Sequence, residues 1–109
     1  MKRGEVVTVA IGGDYGKPRP AVIVQSNSLP DHLPSVVICQ MTSDLDNQAD
    51  FRIVVYPTTD NGLRVQSQIM VDRPVAVRRE RIGRSIGHLS DRDMARVNAA
   101  LTLVLGLAD

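Results

Sequence analysis

Short runs of aliphatic and β-branched residues alternate with segments rich in glycine, proline, aspartate and asparagine over the first two thirds of the chain. Such runs predict short β-strands separated by turns. They cover residues 5–11, 21–25, 35–41, 51–56, 67–71 and 75–77. The run at 21–25 (AVIVQ) is apolar almost throughout, so we expect this strand to be buried on both faces. In the run at 51–56 (FRIVVY), Phe51, Ile53 and Val55 alternate and can share one face.

The period of the apolar positions changes near the C-terminus. Ser90 is suited to cap the N-terminus of a helix, and Asp93 stands in the reciprocal capping position. Apolar residues then follow at spacings of three and four, which predicts an amphipathic helix packed on the rest of the chain. These residues are Met94, Val97, Leu101, Val104 and Leu105. Gly106 can end the helix.

The predicted elements are six or seven short strands followed by one helix, in a chain of 109 residues. Helices do not alternate with strands, which argues against a doubly wound parallel sheet. The sequence therefore predicts a mainly β fold with a C-terminal helix. We expect a strongly bent antiparallel sheet or a small, partly closed barrel, in a single domain that spans residues 1–109.

Composition narrows the function classes. Hydrophobic residues make up 43% of the chain and charged residues 23%, as in an ordinary globular protein. No signal peptide and no apolar stretch of membrane-spanning length is evident, so we expect a cytoplasmic protein. Cys39 is the only cysteine and lies in an apolar run, which predicts a small buried side chain rather than a disulfide. With two scattered histidines there is no zinc pattern, and we expect no metal and no cofactor.

Two segments can bind an anion. The glycine-rich loop at 12–18 leads into Arg19, which is flanked by Pro18 and Pro20 and held toward extended geometry. This arrangement can aim a cation at a phosphate, or it can be a hairpin turn with two exposed bases. Thr42 and Ser43 follow a buried strand and either donate hydroxyls to an anion or cap a turn. The loop is not a nucleotide-binding P-loop, because no Gly-Lys-Ser/Thr and no helix follow.

Arginines are concentrated between positions 72 and 84, although the net charge is only +1. They are Arg73, Arg78, Arg79, Arg81 and Arg84, accompanied by Asp72 and Glu80. Two interpretations stay open at this point: a solvated face with scattered ion pairs, or part of a surface that binds an anionic ligand.

Taken together, these segments resemble the MazF/PemK toxin family along nearly the whole chain. The glycine-bearing loop that runs into Arg-Pro and an apolar strand, at 13–26, is the most specific of them. The others are the opening strand at 2–7, the strand ending in threonine at 37–43, the segment at 67–72, and the stretches at 81–83 and 86–90 before the helix.

The resemblance implies an SH3-like small barrel of the CcdB/MazF type and a homodimer. It implies a toxin of a type II toxin–antitoxin system that is inhibited by a cognate antitoxin protein. It further implies sequence-specific cleavage of single-stranded RNA without a metal, leaving 2′,3′-cyclic phosphate and 5′-hydroxyl ends. In the family's pattern the catalytic pair falls on Arg19 and Thr42, with Asp14 assisting. RNA-binding roles fall on Tyr15, Gly16, Lys17 and Ser43.

The sequence departs from the family pattern at Arg73-Pro74, where a glutamine commonly follows the aspartate. Pro74 cannot donate a strand hydrogen bond, so we expect an edge or a bulge there. The alternative function on the same fold is a CcdB-like protein that poisons DNA gyrase without nuclease activity. A third interpretation is an inert member or an RNA-binding module. The pair Arg19 and Thr42 favours the ribonuclease, because a gyrase poison has no need of it.

Overall fold

The fold is built on an antiparallel sheet, and a computed structural model describes residues 1–10, 17–46 and 51–109. These residues contain seven strands: β1 (Glu5–Val9), β2 (Arg19–Ile23), β3 (Ser35–Thr42), β4 (Arg52–Val55), β5 (Ser67–Met70), β6 (Val75–Arg78) and β7 (Ile82–His88). A 3-10 turn (Arg79–Arg81) precedes β7, and one helix, α1 (Asp91–Val104), ends the fold. Each of the six predicted runs overlaps a strand. The prediction of a mainly β fold with a C-terminal helix is confirmed.

The strand order is β4-β5-β3-β2-β1-β7, and β6 pairs with β3 beside this path. The first half of β3 pairs with β6, whereas Met41 and Thr42 pair with β5. One long strand thus pairs with two neighbours on the same side. At the far end, the His88 N–H donates to the Asp60 carbonyl over 2.8 Å, which connects β7 to the loop between β4 and β5. The described strands do not close into a full barrel, but this contact between the two ends of the sheet is consistent with a barrel-like fold. Pro74 lies between β5 and β6, outside both strands.

Strand β7 was not among the predicted runs. It contains two glycines and several polar residues, and it is at most half-buried, so its local pattern does not indicate a strand. Pairing with β1 creates it, from Glu5 opposite His88 to Val9 opposite Ile82, with two register shifts between them. A Cβ atom at Gly87 would collide with the Asp60 carbonyl oxygen. The glycines therefore allow the close approach that this pairing requires.

The apolar core lies on both faces of the sheet. Ala21, Val22 and Ile23 are all buried, which confirms a central strand covered on both sides. Cys39 is fully buried, as predicted, and burial raises the pKa of its thiol to about 11. Phe51 precedes β4 and is 42% exposed, whereas Ile53 and Val55, with which it alternates in the sequence, are buried.

Helix α1 begins and ends as predicted. The Ser90 hydroxyl accepts the Asp93 N–H over 3.1 Å, and Gly106 follows the last turn with φ at +68°. The inward face of α1 packs Val97 and Leu101 on the core. Leu105 is exposed, although the apolar spacing placed it on the buried stripe, because the helix ends at Val104. Among the described residues, no helix is long and apolar enough to span a membrane.

Candidate functional site

Arg19 is the first residue of β2 and lies opposite Val9 of β1 in the antiparallel register. Prolines on both sides keep this stretch extended, so the backbone direction at Arg19 is fixed before any ligand binds. The residue is exposed, which leaves its position open to a ligand from solvent. Arg19 therefore stands at the start of a strand, where the sequence placed it, and its contact with a phosphate stays a prediction.

Thr42 ends β3 on the neighbouring strand. Strands β2 and β3 pair from Ala21 opposite Gln40 to Ile23 opposite Ile38. The same register, extended by two residues past this pairing, would place Arg19 opposite Thr42. The Thr42 Oγ1 atom accepts the Asp44 N–H over 3.0 Å. A hydroxyl that accepts in this way keeps its own hydrogen for another partner. Both interpretations of Thr42 are therefore compatible, since it closes a turn and can still donate.

A cleft of about 340 Å³ opens between the start of β2, the end of β3, β7 and the loop before β5. Three arginines line it, Arg19, Arg64 and Arg84, together with the Ser43 hydroxyl. Apolar side chains complete the wall, and these include Pro18, Pro20, Met41, Leu63, Val65 and Ile86. Among the described residues that line the cleft there is no aspartate or glutamate. Three guanidinium groups in a lining with no acidic side chain among its described residues favour an anionic ligand.

Arg64 reaches the cleft through a loop that Asn61 organises. The Asn61 Oδ1 atom accepts the N–H groups of Thr58 and Leu63, each over 3.0 Å, and its Nδ2 donates to the Tyr56 carbonyl over 2.9 Å. The next residue, Gly62, has φ at +69°. Sequence reasoning missed Arg64, and the only local signal was the Asp-Asn-Gly turn that precedes it.

The structure separates the arginines of the 72–84 segment. Arg84 lines the cleft. Arg78 pairs with Glu80 over 3.2 Å. A hydrogen bond from its own backbone N–H and the Arg78 guanidinium lower the pKa of the Glu80 carboxyl. Arg73 pairs with Asp72 over 3.4 Å, and the Arg79 Nε donates to the Leu33 carbonyl over 2.7 Å. The interpretation as scattered ion pairs therefore describes Arg73 and Arg78, whereas the anionic-ligand interpretation fits Arg84.

The other predicted site residues differ in where they lie relative to the cleft. Asp14, Tyr15 and Gly16 lie outside the described residues. Lys17 is exposed directly before Pro18, which lines the cleft. Ser43 lines the cleft itself, whereas Thr42, the residue before it, is not among the described lining residues. No group of three or more histidine, cysteine, aspartate or glutamate side chains is arranged to hold a metal within the described ranges.

Comparisons with known proteins agree with this picture. A family model described as "PemK-like, MazF-like toxin of type II toxin-antitoxin system" matches residues 2–105. A protein of Mycolicibacterium smegmatis, named probable endoribonuclease MazF, is 37% identical over 109 residues, with 99% of each chain covered. A solved endoribonuclease from a mycobacterial species, in complex with its cognate antitoxin, superposes with a TM-score of 0.80 at 22% identity, covering 98% of this chain and 96% of that one.

Mycobacterium tuberculosis toxin MazF-mt6 superposes with a TM-score of 0.78 at 20% identity, covering 94% of this chain and 96% of that one. These structural likenesses confirm the MazF-type fold. The match over residues 2–105 and the 37% identity go further than fold. The chain belongs to the PemK-like, MazF-like toxins of type II toxin–antitoxin systems, which confirms the family and the endoribonuclease class that the sequence predicted.

Proposed function

We propose that this toxin cleaves single-stranded RNA at short sequences, with the scissile phosphate bound between Arg19 and Thr42. The cleft is the observation that carries the proposal: three arginines and a serine line it, and none of its described lining residues is acidic. A phosphodiester carries the negative charge that is complementary to these arginines. The apolar wall offers surfaces for unstacked bases, which a single strand can present and a duplex cannot.

The proposed reaction is an intramolecular transfer. The ribose 2′-oxygen attacks the adjacent phosphorus, and the bond from phosphorus to the 5′-oxygen breaks. A 2′,3′-cyclic phosphate and a 5′-hydroxyl result, with one proton leaving the 2′-hydroxyl for a base and one proton reaching the departing 5′-oxygen. Negative charge builds up on the non-bridging oxygens. Arg19 can donate two N–H groups to them, and Thr42 can add its hydroxyl.

The proton acceptor is a separate assignment. Arginine is protonated at neutral pH, so Arg19 acts by electrostatics and as the proton donor to the departing 5′-oxygen rather than as the base. Asp14 lies five residues before Arg19 in the sequence, and we propose it as the base. We also propose that Tyr15 stacks on a base and that Gly16, Lys17 and Ser43 contact the RNA backbone. No metal and no cofactor takes part in this scheme, since every charge in it is met by a side chain.

Arg64 and Arg84 extend the site beyond the scissile phosphate. They enter the cleft from the loop before β5 and from β7, on different elements from Arg19. Neither guanidinium has an ion-pair or hydrogen-bond partner in the described part of the chain. We therefore propose that they bind the phosphates that flank the cleaved one. Such contacts position the strand without reading its sequence.

We propose further that the toxin acts in the cytoplasm as a homodimer and that its antitoxin blocks the same cleft. The structural neighbour with a TM-score of 0.80 was solved with its cognate antitoxin. An acidic, partly disordered antitoxin segment would be complementary to the cleft arginines and to the exposed Arg78. The alternative of a gyrase poison is not favoured, because the family match and the arginine-lined cleft both suit RNA.

The decisive experiment incubates purified protein with a long single-stranded RNA in EDTA and maps the 5′-ends of the products. We expect discrete cuts that resist EDTA, and we expect Arg19→Ala and Thr42→Val to lose at least about 100-fold in rate. Arg92→Ala is the matched control, because Arg92 is exposed on α1 and does not line the cleft. Intact RNA with wild-type protein would reject the ribonuclease, and a gyrase inhibition assay would then test the alternative.

The two flanking arginines are tested by salt dependence. A 2′-O-methyl oligonucleotide binds but cannot be cut, since its 2′-oxygen is blocked. We expect Arg64→Ala or Arg84→Ala to reduce the slope of log affinity against log salt by about 0.7 each. Arg92→Ala removes the same charge outside the cleft and should leave the slope nearly unchanged. Equal slopes in all three variants would remove Arg64 and Arg84 from the RNA path.

A further inference from the structure

Gln68 is a buried amide that the proposed reaction does not use. Its residue is 3% exposed, although it lies in a strand otherwise built from serine and apolar residues. It sits opposite Thr42 in the antiparallel pairing of β3 with β5. Its side chain does not line the arginine cleft among the described residues. A buried amide is costly unless its donors and acceptors are satisfied, so its partners indicate what it does.

Two of those partners are the backbone N–H and carbonyl of one residue, Asp46, and the third is the Arg52 guanidinium. The Gln68 Oε1 atom accepts the Asp46 N–H over 3.1 Å, and the Gln68 Nε2 donates to the Asp46 carbonyl over 3.3 Å. The amide thus pairs with both polar groups of one residue, as a neighbouring strand would. Asp46 lies four residues after Thr42, where β3 has already ended. The side chain therefore fastens the turn after β3 to the sheet.

The same turn orients the Thr42 hydroxyl. Asp44, midway between Thr42 and Asp46, donates its N–H to Thr42 Oγ1 over 3.0 Å. Two fixed points hold this donor: the end of β3 on one side and the Gln68 pairing on the other. With one lone pair of Oγ1 engaged by Asp44, the hydroxyl hydrogen is left to point elsewhere. A shift of the turn would rotate that hydrogen away from its acceptor.

We infer that Gln68 is a positioning residue, which holds the turn at 43–46 so that the Thr42 hydroxyl donates to the phosphate in the transition state. The inference rests on the proposed function, since it assigns Thr42 a catalytic donor role. It places a residue from β5, with no contact to the cleft, in the set required for the reaction. Small displacements of a catalytic group cost up to about 100-fold in rate, so such support is worth more than its hydrogen bonds alone.

Two substitutions separate positioning from folding. Gln68→Leu keeps the volume roughly constant, removes both bonds to Asp46, and also removes the acceptor for Arg52 Nη1. Gln68→Glu keeps the acceptor for the Asp46 N–H and loses the donor to the carbonyl. Its charge would face Arg52, whose Nη1 already donates to Gln68 Oε1 over 3.4 Å. We expect Gln68→Glu to fold well and to have a kcat between those of wild type and Gln68→Leu. Gln66→Leu is the matched control, two positions earlier.

The test is a double-mutant cycle on RNA cleavage with Thr42→Val. We expect Gln68→Leu to lower kcat about tenfold with KM within about twofold, since only a transition-state interaction is lost. In the Thr42→Val background, the same change should cost less than about twofold, because no hydroxyl remains to position. Amide hydrogen exchange at Asp44 and Asp46 should become faster in Gln68→Leu and stay unchanged in Gln66→Leu.

The outcomes of this cycle distinguish the role of Gln68 from the proposed function. Coupled losses with faster exchange at the turn support the inference. If wild-type protein cuts RNA but the two losses multiply independently, Gln68 is a structural residue and the proposed function still stands. If Gln68→Leu lowers kcat no more than Gln66→Leu does, the inference is rejected. A wild-type protein that does not cut RNA would overturn the proposed function, and this inference with it.

Discussion

Removing the Asn61 side chain should destabilise the whole domain and weaken the wall of the cleft. Asn61 is 2% exposed and makes three hydrogen bonds from its side chain, to Thr58, Leu63 and Tyr56. These bonds close the loop between β4 and β5. The loop carries Leu63 and Arg64 into the cleft, and its Asp60 carbonyl accepts the His88 N–H of β7. One side chain thus supports both the end of the sheet and the candidate site.

The magnitude follows from the count of bonds. Each intramolecular hydrogen bond contributes about 1 kcal/mol net, so Asn61→Ala loses about 3 kcal/mol from three. The buried Leu63 N–H would be left without its acceptor, which adds a desolvation cost, so we do not expect the loss to be smaller than this. Against a typical total of about 5–15 kcal/mol, this is a large fraction. We expect the melting temperature to fall by about 10–20 °C.

Urea unfolding of the full chain measures this loss directly. With a slope of about 2 kcal/mol per M, the midpoint should fall by about 1.5 M and the slope should stay constant. Asn98→Ala is the matched control, since Asn98 is exposed on α1 and should change stability by less than about 0.5 kcal/mol. An Asn61→Ala midpoint within about 0.5 M of wild type would refute the view that this loop is a cooperative part of the fold.

Two further predictions concern the helix cap and the buried thiol. Ser90→Ala removes the acceptor of the Asp93 N–H and should cost about 1 kcal/mol in the free energy of unfolding, which thermal unfolding measures. Ser28→Ala, at an exposed position, is the control. Equal melting temperatures of the two variants would contradict the capping role. Burial raises the pKa of Cys39 from 9.0 to about 11, so the unfolded chain loses this proton first and stability should fall as pH rises above about 9. Cys39→Ala should show a shallower decline between pH 9 and 11 in denaturant titrations, and parallel curves would contradict the assignment.

Some residues of the candidate site could be predicted from the sequence, and others could not. Arg19, Thr42 and Ser43 could be predicted because an Arg-Pro pair and a strand-end hydroxyl are local features of the sequence. Arg64 could not, since only the folded chain brings its loop beside β2 and β7. Gln68 could not, since its role depends on Asp46, a residue on another segment. Gln68 is spaced 22 residues from Asp46, and no local pattern relates the two. Arg84 was one of several arginines in a row until the strand pairing separated it from those with acidic neighbours.

Local patterns in the sequence were enough to predict the segments of β1 to β6 and the start of the helix, because β-branched runs, turn residues and a capping serine act over a few neighbouring residues. It did not determine β7, whose glycines and polar residues become a strand only when β1 lies alongside. Nor did it determine the exposure of Phe51, since alternation predicts which residues share a face but not how far the covering layer extends. The meeting of β2, β3, β7 and the loop before β5 at one cleft became visible only in the folded chain. Such convergence depends on long-range pairing, which one-dimensional patterns do not encode.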